Sequence, residues 1–353
     1  MCVWRGLLLM LATTTSACAS AGFSSALDEP RDDSWPVTGV PPAPMQPVVL
    51  GGDFGDVQVT YLGSGGFIVR AGSEAILTGP FFSNPSMLQV LFASIRVDTA
   101  RVDRGLEGHD LSDVDAVLIG HGHYDHLMDV PYIVRTYRPE ARVYGAPTVR
   151  NLILSDMPDP NRVVAIETDS AATRREPGQW YSSTSGRFRW MAIRSDHSKH
   201  FWRVELFQGH QRTPRPTLPS RAGDWKVGET YAYLIEVLRP DGEPALRIHY
   251  NDSPGTADDG FPPDTALDGD VPLVALLTAP GHKWEDGYPG DLVEHLEPDY
   301  VIASHWEDFF TPQEPDPKPI FGTFYSEFVE KMNRLPVDWT APAPGAVLVF
   351  TGS

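Results

Sequence analysis

The amino-acid sequence predicts an α/β fold, in which helices pack in layers against β-sheets. From about Asp56 to the C-terminus, short runs typical of β-strands alternate with runs of helical periodicity. Hydrophobic residues make up 41% of the 353 residues, which is sufficient for a large core. The length therefore fits one large α/β domain or two small ones.

Residues 1–18 have the layout of an export signal. Arg5 precedes an apolar run at 6–12 that is too short to span a bilayer, and small residues lead to Cys18. The tetrapeptide Thr15-Ser16-Ala17-Cys18 resembles a bacterial lipobox, in which the cysteine is lipidated, although leucine usually stands where Thr15 does. Ala17-Cys18-Ala19 also fits simple cleavage. Both interpretations predict a cell-envelope protein, which is lipid-anchored, periplasmic or secreted.

Residues 19–55 are predicted to be a proline-rich tether, and residues 56–353 the folded domain. The tether contains Pro41-Pro42-Ala43-Pro44 and has no apolar periodicity. Cys2 and Cys18 are the only cysteines, so the sequence after residue 18 offers neither an internal disulfide nor a thiolate metal ligand.

The folded domain opens with strand-like runs at 57–62, 67–69 and 75–77, separated by glycine-rich turns. The glycines at 63–66 are interpreted as a turn rather than a phosphate loop, because no Gly-Lys-Ser/Thr follows. The remaining predicted elements are strands at 114–119, 142–144, 188–193, 231–237, 245–250, 273–277 and 300–303, and helices at 87–95, from Val130 with Asp129 as candidate cap, at 147–154 and at 321–332.

The formal net charge of −19, from 47 acidic and 28 basic residues, argues against nucleic-acid binding and against broad attraction to anionic lipid. Residues 209–227 differ, because they combine three prolines with Arg212, Arg215, Arg221 and Lys226. This segment is either a lid over an anionic group or a solvated excursion. The aromatic residues that flank it either line a pocket or belong to the core: Trp202, Phe207 and Trp225.

The segment His121-Gly122-His123-Tyr124-Asp125-His126 predicts a metal centre. Imidazole and carboxylate are the ligands that zinc and similar divalent metals favour, and a hydrophobic core has no need for four of them in six residues. The segment follows a predicted strand, so His121 and His123 point the same way, while Asp125 and His126 face a second position. The small Gly120 and Gly122 allow a tight turn around the ions.

This motif resembles the HxHxDH signature of the metallo-β-lactamase superfamily, and later elements occur in the expected order up to the C-terminus. The resemblance implies a four-layer αββα sandwich. It also implies two metal ions, one held by His121, His123 and His197, the other by Asp125, His126 and His305, with Asp252 bridging both. His200 is the rival of His197, which is preferred because it follows its strand more closely.

Within the superfamily, the sequences around Tyr61-Leu62-Gly63 and Leu77-Thr78-Gly79-Pro80 look most like the branch of an ascorbate-phosphate lactonase and an N-acyl phosphatidylethanolamine phospholipase D. That branch usually has Asp where Gly79 stands. Such a carboxylate would orient the metal ligands by hydrogen bonding to them without contacting the metal itself. Its absence is a reason to expect weaker metal binding or a lower rate, but not a different fold.

The predicted activity is metal-dependent hydrolysis by a metal-bridging hydroxide. Two divalent ions, zinc first and manganese or iron as alternatives, would carry a net charge of about +1 with Asp125, Asp252 and the hydroxide, which favours an anionic substrate. A phosphodiester or phospholipid is the first expectation, and a lactone or other ester the second. A metal-containing envelope protein that binds without catalysis is the alternative of another class.

The catalytic residues are predicted to be Asp125 and His282. For protonation of the leaving group, His282 competes with Tyr124 and with whichever of His197 and His200 is not a ligand. The sequence does not predict the oligomeric state. The expected partners are a small-molecule or lipid substrate, and a membrane only through a lipid on Cys18.

Overall fold

A computed structural model describes residues 47–199, 204–255, 258–313 and 316–353. Within these ranges the strands are β1 Val48–Leu50, β2 Asp56–Gly63, β3 Gly66–Ala71, β4 Glu74–Thr78, β5 Val114–Leu118, β6 Arg142–Gly145, β7 Val163–Ala165, β8 Trp180–Ser182, β9 Phe188–Ser195, β10 Thr230–Leu238, β11 Pro244–Asn251, β12 Leu273–Thr278, β13 Tyr300–Ser304, β14 Asp338–Thr340 and β15 Val347–Gly352.

The α-helices in the described ranges are short. They are α1 Met87–Phe92, α2 Thr99–Gly105, α3 Tyr124–Leu127, α4 Val130–Tyr137, α5 Pro147–Ile153, α6 Asp264–Leu267, α7 Gly290–Leu296 and α8 Tyr325–Met332. In the part of the chain that the structure covers, none of them has the length and apolar character required to cross a bilayer.

The strands form two mixed sheets. Their orders are β1-β15-β2-β3-β4-β5-β6-β7 and β14-β13-β12-β11-β10-β9-β8. In the first sheet, β4 to β7 run parallel to one another, and in the second sheet β11 to β14 do so. Each sheet therefore joins a block of parallel strands to antiparallel pairs, and in the first sheet the edge strand β1 runs parallel to its neighbour β15.

The alternation of side chains along β9 explains the layers. Phe188 and Trp190 point into the large core cluster, which also contains Val59 and Val117 of the first sheet. Met191 and its neighbours on the opposite face form a second cluster, against which Ala266 and Leu267 of α6 pack. The second sheet thus packs one face against the first sheet and covers the other with a helix, as an αββα sandwich requires.

The predicted strands all occur, and most extend by one or two residues beyond their predicted bounds. Five further strands were not predicted: β1, β7, β8, β14 and β15. Of these, β1 lies inside the predicted tether at 19–55, where it pairs in parallel with β15. Three residues with little periodicity do not predict a strand, because the partner that stabilises this one lies at the other end of the chain. Residues 1–46, including Cys18, lie outside the described residues.

Two helix predictions need correction. The last helix begins at Tyr325 rather than Phe321, because Phe324 has a left-handed backbone with φ of 52° that cannot belong to the helix. Asp129 precedes α4 but makes no capping bond with its side chain. Its buried carboxylate instead accepts hydrogen bonds from the Phe82 and Ser83 backbone amides and from the Ser83 hydroxyl.

Candidate metal centre

All seven predicted ligands follow the carboxyl end of a strand. His121 to His126 come after β5 of the first sheet, while His197, Asp252 and His305 come after β9, β11 and β13 of the second. The carboxyl ends of parallel strands share one edge, and ligands of layered α/β proteins gather there. Two bonds join the sheets at this edge, from the Tyr231 amide to the Gly120 carbonyl and from the Tyr233 hydroxyl to the Ile119 carbonyl.

The structure brings the seven side chains together as three overlapping groups. Within each group, one potential ligand atom per residue lies within 4.8 Å of the others. The groups are His121, His123 and His197; His121, His126 and Asp252; and Asp125, His126 and His305. The first and third groups have the members that the family resemblance assigns to the two ions, and the second group joins Asp252 to one histidine of each.

Asp252 lies between the two outer groups. Its Oδ1 is 3.3 Å from Nδ1 of His121, and its Oδ2 is 3.3 Å from Nδ1 of His126. On the other side, Asp125 Oδ2 lies 3.6 Å from Nε2 of His126 and 3.4 Å from Nε2 of His305. Each carboxylate can therefore share a cation with neighbouring imidazoles.

The imidazoles and carboxylates of this cluster shift one another's pKa values. Burial alone would raise the pKa of the Asp125 carboxyl, but His126, His305 and His121 together hold it well below its usual range. Burial, together with His121, lowers the pKa of His126 to about 4. The Asp252 pKa is lowered by His121 and His126 against the effect of burial. The two carboxylates are therefore ionised, as ligation of a cation requires, and Asp125 in turn raises the pKa of His305 against the effect of burial.

The residues fit divalent metal ions. The rings of His121, His123 and His197 lie 4.5–4.7 Å apart, centroid to centroid. Nε2 of His121 is fully buried and has no hydrogen-bond partner among the described residues. A buried imidazole nitrogen in this situation is costly unless something binds it. A cation that accepts imidazole and carboxylate ligands would satisfy it.

Glycine at position 120 is required by the approach of Asp252. A Cβ atom there would lie 2.2 Å from Oδ1 of Asp252, so any side chain displaces a ligand. At Gly122 a Cβ would lie 2.2 Å from the Lys226 carbonyl oxygen. Gly65, interpreted from the sequence only as a turn residue, also belongs here, because its Cβ would lie 2.7 Å from Nδ1 of His126.

Gly79 lies against the backbone of the metal-binding motif. A Cβ atom at this position would be 2.9 Å from the His126 carbonyl oxygen and 3.3 Å from its Cβ. The aspartate that is usual in the resembling branch could therefore enter only if the His126 segment shifted. The close approach of Gly79 fixes that segment by backbone packing.

Three polar residues that the sequence did not single out support the ligands. The Tyr250 hydroxyl donates to the Gly65 carbonyl at 2.9 Å and to Oδ2 of Asp252 at 3.1 Å. The Tyr61 hydroxyl accepts from the His305 amide at 2.7 Å and donates to Oε2 of Glu307 at 2.5 Å. Tyr250 lies in β11 and precedes Asp252, which directly follows that strand, by two residues; this spacing is the one signal that could have identified it.

His197 is held by the residues that follow it. The Ser198 amide donates to the Ser253 hydroxyl, and the Lys199 amide donates to the buried carboxylate of Glu285. Nδ1 of His197 lies 2.8 Å from the Ser198 carbonyl, so Nε2 is the nitrogen oriented toward the cluster if Nδ1 carries the proton. His200, its rival in the sequence, lies outside the described residues.

The proposed role of His282 as an acid is not supported by its surroundings. Its ring is fully buried, and Nε2 lies 2.9 Å from the Thr323 carbonyl and 3.2 Å from that of Phe324. His282 thus ties the loop after β12 to the start of α8, and it is absent from the three described donor groups. The position of a histidine directly after a strand predicts that the residue lies at this edge of the sheet. It does not predict where the imidazole ring points.

Phe207 and Tyr124 form a wall beside the histidine triad. The Phe207 ring lies 5.8 Å from that of His123 and 6.4 Å from that of Tyr124. Burial raises the pKa of the Tyr124 hydroxyl well above its usual range, with a contribution from Asp125, so this phenol holds its proton. Trp225 is fully buried in the core, and Trp202 lies outside the described residues.

Comparison with known proteins agrees with this architecture. Residues 75–237, which carry five of the seven predicted ligands, match the family described as "Beta-lactamase superfamily domain". This match, together with the two facing sheets, confirms the predicted fold class. No curated protein matches the sequence.

Solved structures with this fold include two that span nearly the same length. A metallo hydrolase from the archaeon Ignicoccus hospitalis has 18% identity and a TM-score of 0.50, over 84% of this chain and 100% of the other. A metallo-β-lactamase fold protein from Bacillus subtilis has 13% identity and a TM-score of 0.47, over 82% and 98% respectively. At these identities the likeness concerns the fold.

Proposed function

We propose that the protein is a dinuclear metal-dependent hydrolase. The observation that carries this proposal is the convergence of seven imidazole and carboxylate side chains from four strand ends into three overlapping donor groups. His121, His123 and His197 would hold one ion, Asp125, His126 and His305 the other, and Asp252 would contact both. Zinc is the first expectation for the metal, with manganese or iron as alternatives.

Divalent cations bound there would supply Lewis-acid activation of water and of the substrate's carbonyl or phosphoryl oxygen. The protein's own contribution is positional. Asp252 and Asp125 reduce the positive charge of the site without removing it, and Tyr250 holds the Asp252 carboxylate through one of its oxygens. The Phe207 ring packs against that of His123 and covers one side of this imidazole.

For the substrate we propose a phosphodiester or phospholipid. The support is the local charge, because the loop at 209–227, which carries three arginines in an otherwise acidic protein, has its base beside the metal-binding motif. The resemblance to the branch with a phospholipase D adds to this proposal. An exported location, with a lipid on Cys18 or a cleaved signal, is proposed from the sequence of residues 1–18 alone.

The test combines metal analysis with a panel of phosphodiester, phospholipid, lactone and thioester substrates. The rate of hydrolysis should fall by more than about 100-fold in His123→Ala. Substitution of a residue that only hydrogen-bonds to a metal ligand commonly lowers metal affinity or activity by 10- to 100-fold, and loss of a ligand itself should have a larger effect. The matched control is His109→Ala, a half-buried histidine outside the donor groups, which should keep the parent's activity. Full activity in metal-checked His123→Ala would contradict the proposal. Two metals per chain without turnover of any substrate would favour a binding protein.

A further inference from the structure

The helix α1 exposes an apolar face although it belongs to a folded domain. Leu88 is 71% exposed and Phe92 54%, and because they are four residues apart they lie on one side of the helix, with Met87 beside them. Val90, on the other side, is buried in the core. Scattered exposed apolar residues are normal, but three on two helical turns form a patch.

The helix is held firmly in this orientation. Ser86 and Gln89 form a reciprocal capping box at its start. Upstream, the Asn84 side chain donates to the Thr311 carbonyl, and the Arg101 guanidinium donates to the carbonyls of Ser83 and Asn84. The apolar face is therefore presented by ordered flanks.

A basic loop adjoins this helix. Three residues after α1, the Ile95 amide donates to the Ser220 carbonyl of the loop at 2.8 Å. Arg96 and Arg221 each follow one member of this bonded pair, so their backbones lie close to each other, and both residues are exposed. Neither of them, nor the exposed Arg212, has a carboxylate within 4.0 Å in the described ranges.

The same loop reaches the candidate metal centre. Its two ends are joined by bonds from the Val227 amide to the Phe207 carbonyl and from the Gly228 amide to the Gly209 carbonyl. Phe207 contacts His123, and the Gly122 amide donates to the Val227 carbonyl. The loop therefore extends from the metal-binding motif at its base to α1 at Ser220.

We propose that α1 and this loop form a docking face for an anionic phospholipid surface. The face consists of Met87, Leu88, Phe92, Arg96 and Arg221. The apolar side chains would enter the acyl boundary and the guanidinium groups would pair with headgroup phosphates. The net charge of −19 does not exclude this arrangement, because charges further than about 8 Å from the contact are screened at physiological salt.

Docking to a lipid surface is a property beyond the proposed hydrolysis, and binding to vesicles can be measured without any turnover. Full-length proteins, all carrying Cys18→Ala so that no lipid on that residue contributes, are sedimented with phosphatidylcholine vesicles with or without phosphatidylglycerol. The parent should bind the anionic vesicles more strongly. Phe92→Gln should lower the partition coefficient about tenfold, and Arg221→Gln about fivefold.

Matched controls keep the test specific. Phe321→Gln removes a phenylalanine that is exposed to the same degree, 55% against 54%, and Arg175→Gln removes an exposed arginine that also lacks an ion pair among the described residues. Both controls should bind like the parent, and so should His123→Ala, which separates docking from hydrolysis. Equal losses in Phe92→Gln and Phe321→Gln would overturn the proposal, as would absence of binding by the parent. A dimer in solution that Phe92→Gln dissociates, without vesicle binding, would identify the face as a contact between copies of this chain.

Discussion

At the scale of single residues, the candidate metal centre depends on glycines, which have no side chain, as much as on the predicted ligands. Gly120 has no functional group, yet the Asp252 carboxylate occupies the space where its Cβ would stand. Gly65 allows the same close approach to His126 and to the Tyr250 hydroxyl. The ligands can converge because the backbone beside them carries no side chain.

Gly120→Ala should therefore impair the centre. The added methyl group overlaps Oδ1 of Asp252 at 2.2 Å, so the carboxylate must move away from His121. Metal affinity should fall at least tenfold, within the range for altered support of a ligand. Competition with a chromophoric chelator measures it.

The control for this substitution is Gly51→Ala, because Gly51 has open space around its Cβ position and no positive φ. It should bind metal as the parent does. Equal affinity in Gly120→Ala and the parent would show that Asp252 is not needed in its present position.

Four of the seven candidate ligands follow from the residues alone, because the motif at 121–126 is local and its chemistry is distinctive, whereas His197, Asp252 and His305 were assigned from the family resemblance. Tyr61 and Glu307 could not be predicted, since they are 246 residues apart and each is an ordinary residue of its strand or loop. His282 shows the opposite case. Its position after a strand predicted a catalytic role, whereas the direction of its ring depends on the carbonyls of a helix start 41 residues later.

At the scale of elements, the loop after β13 is fastened to the β2–β3 hairpin. The Glu307 carboxylate accepts from the Tyr61 hydroxyl and from the Ser64 amide, and the Tyr61 hydroxyl accepts from the amide of His305. His305 has a left-handed backbone with φ of 58°, which is unfavourable for a residue other than glycine. The hydrogen bonds from the hairpin stabilise this conformation and so orient a predicted ligand.

Tyr61→Phe should weaken metal binding although Tyr61 is not a ligand. The change leaves the His305 amide and one Glu307 oxygen without their partner, so we expect a 10- to 100-fold lower affinity for the ion held by Asp125, His126 and His305. Stepwise metal titration followed by elemental analysis should show one ion lost before the other.

Tyr288→Phe is the matched control for that variant. Tyr288 is buried like Tyr61, and its hydroxyl makes one hydrogen bond, to the Thr278 carbonyl at 2.7 Å. Tyr288→Phe should lose about 1 kcal/mol of unfolding free energy from its one missing bond, and Tyr61→Phe should lose more, because it lacks two bonds and one of them is to a carboxylate. If both also bind metal equally well, the hairpin contact has no role in positioning His305.

At the scale of the whole molecule, the predicted ligands come from both sheets. His121, His123, Asp125 and His126 follow a strand of the first sheet, and His197, Asp252 and His305 follow strands of the second. The layered architecture could be predicted from alternating strand and helix patterns and from the family resemblance. The pairing of β1 with β15, which forms the edge of the first sheet, depends on contacts between segments far apart in the sequence. No local sequence pattern predicts such contacts.

Ions shared between the sheets should stabilise the folded protein, because unfolding separates the ligands. At a free metal concentration of about 100 times the dissociation constant, each site contributes about 2.7 kcal/mol, which corresponds to a rise in Tm of several degrees. Thermal unfolding of the parent should therefore shift downward after chelation and recover with zinc. His123→Ala should lose a large part of this shift and His109→Ala none of it. A parent protein with the same Tm in zinc and in chelator would contradict metal binding between the sheets, whatever its activity.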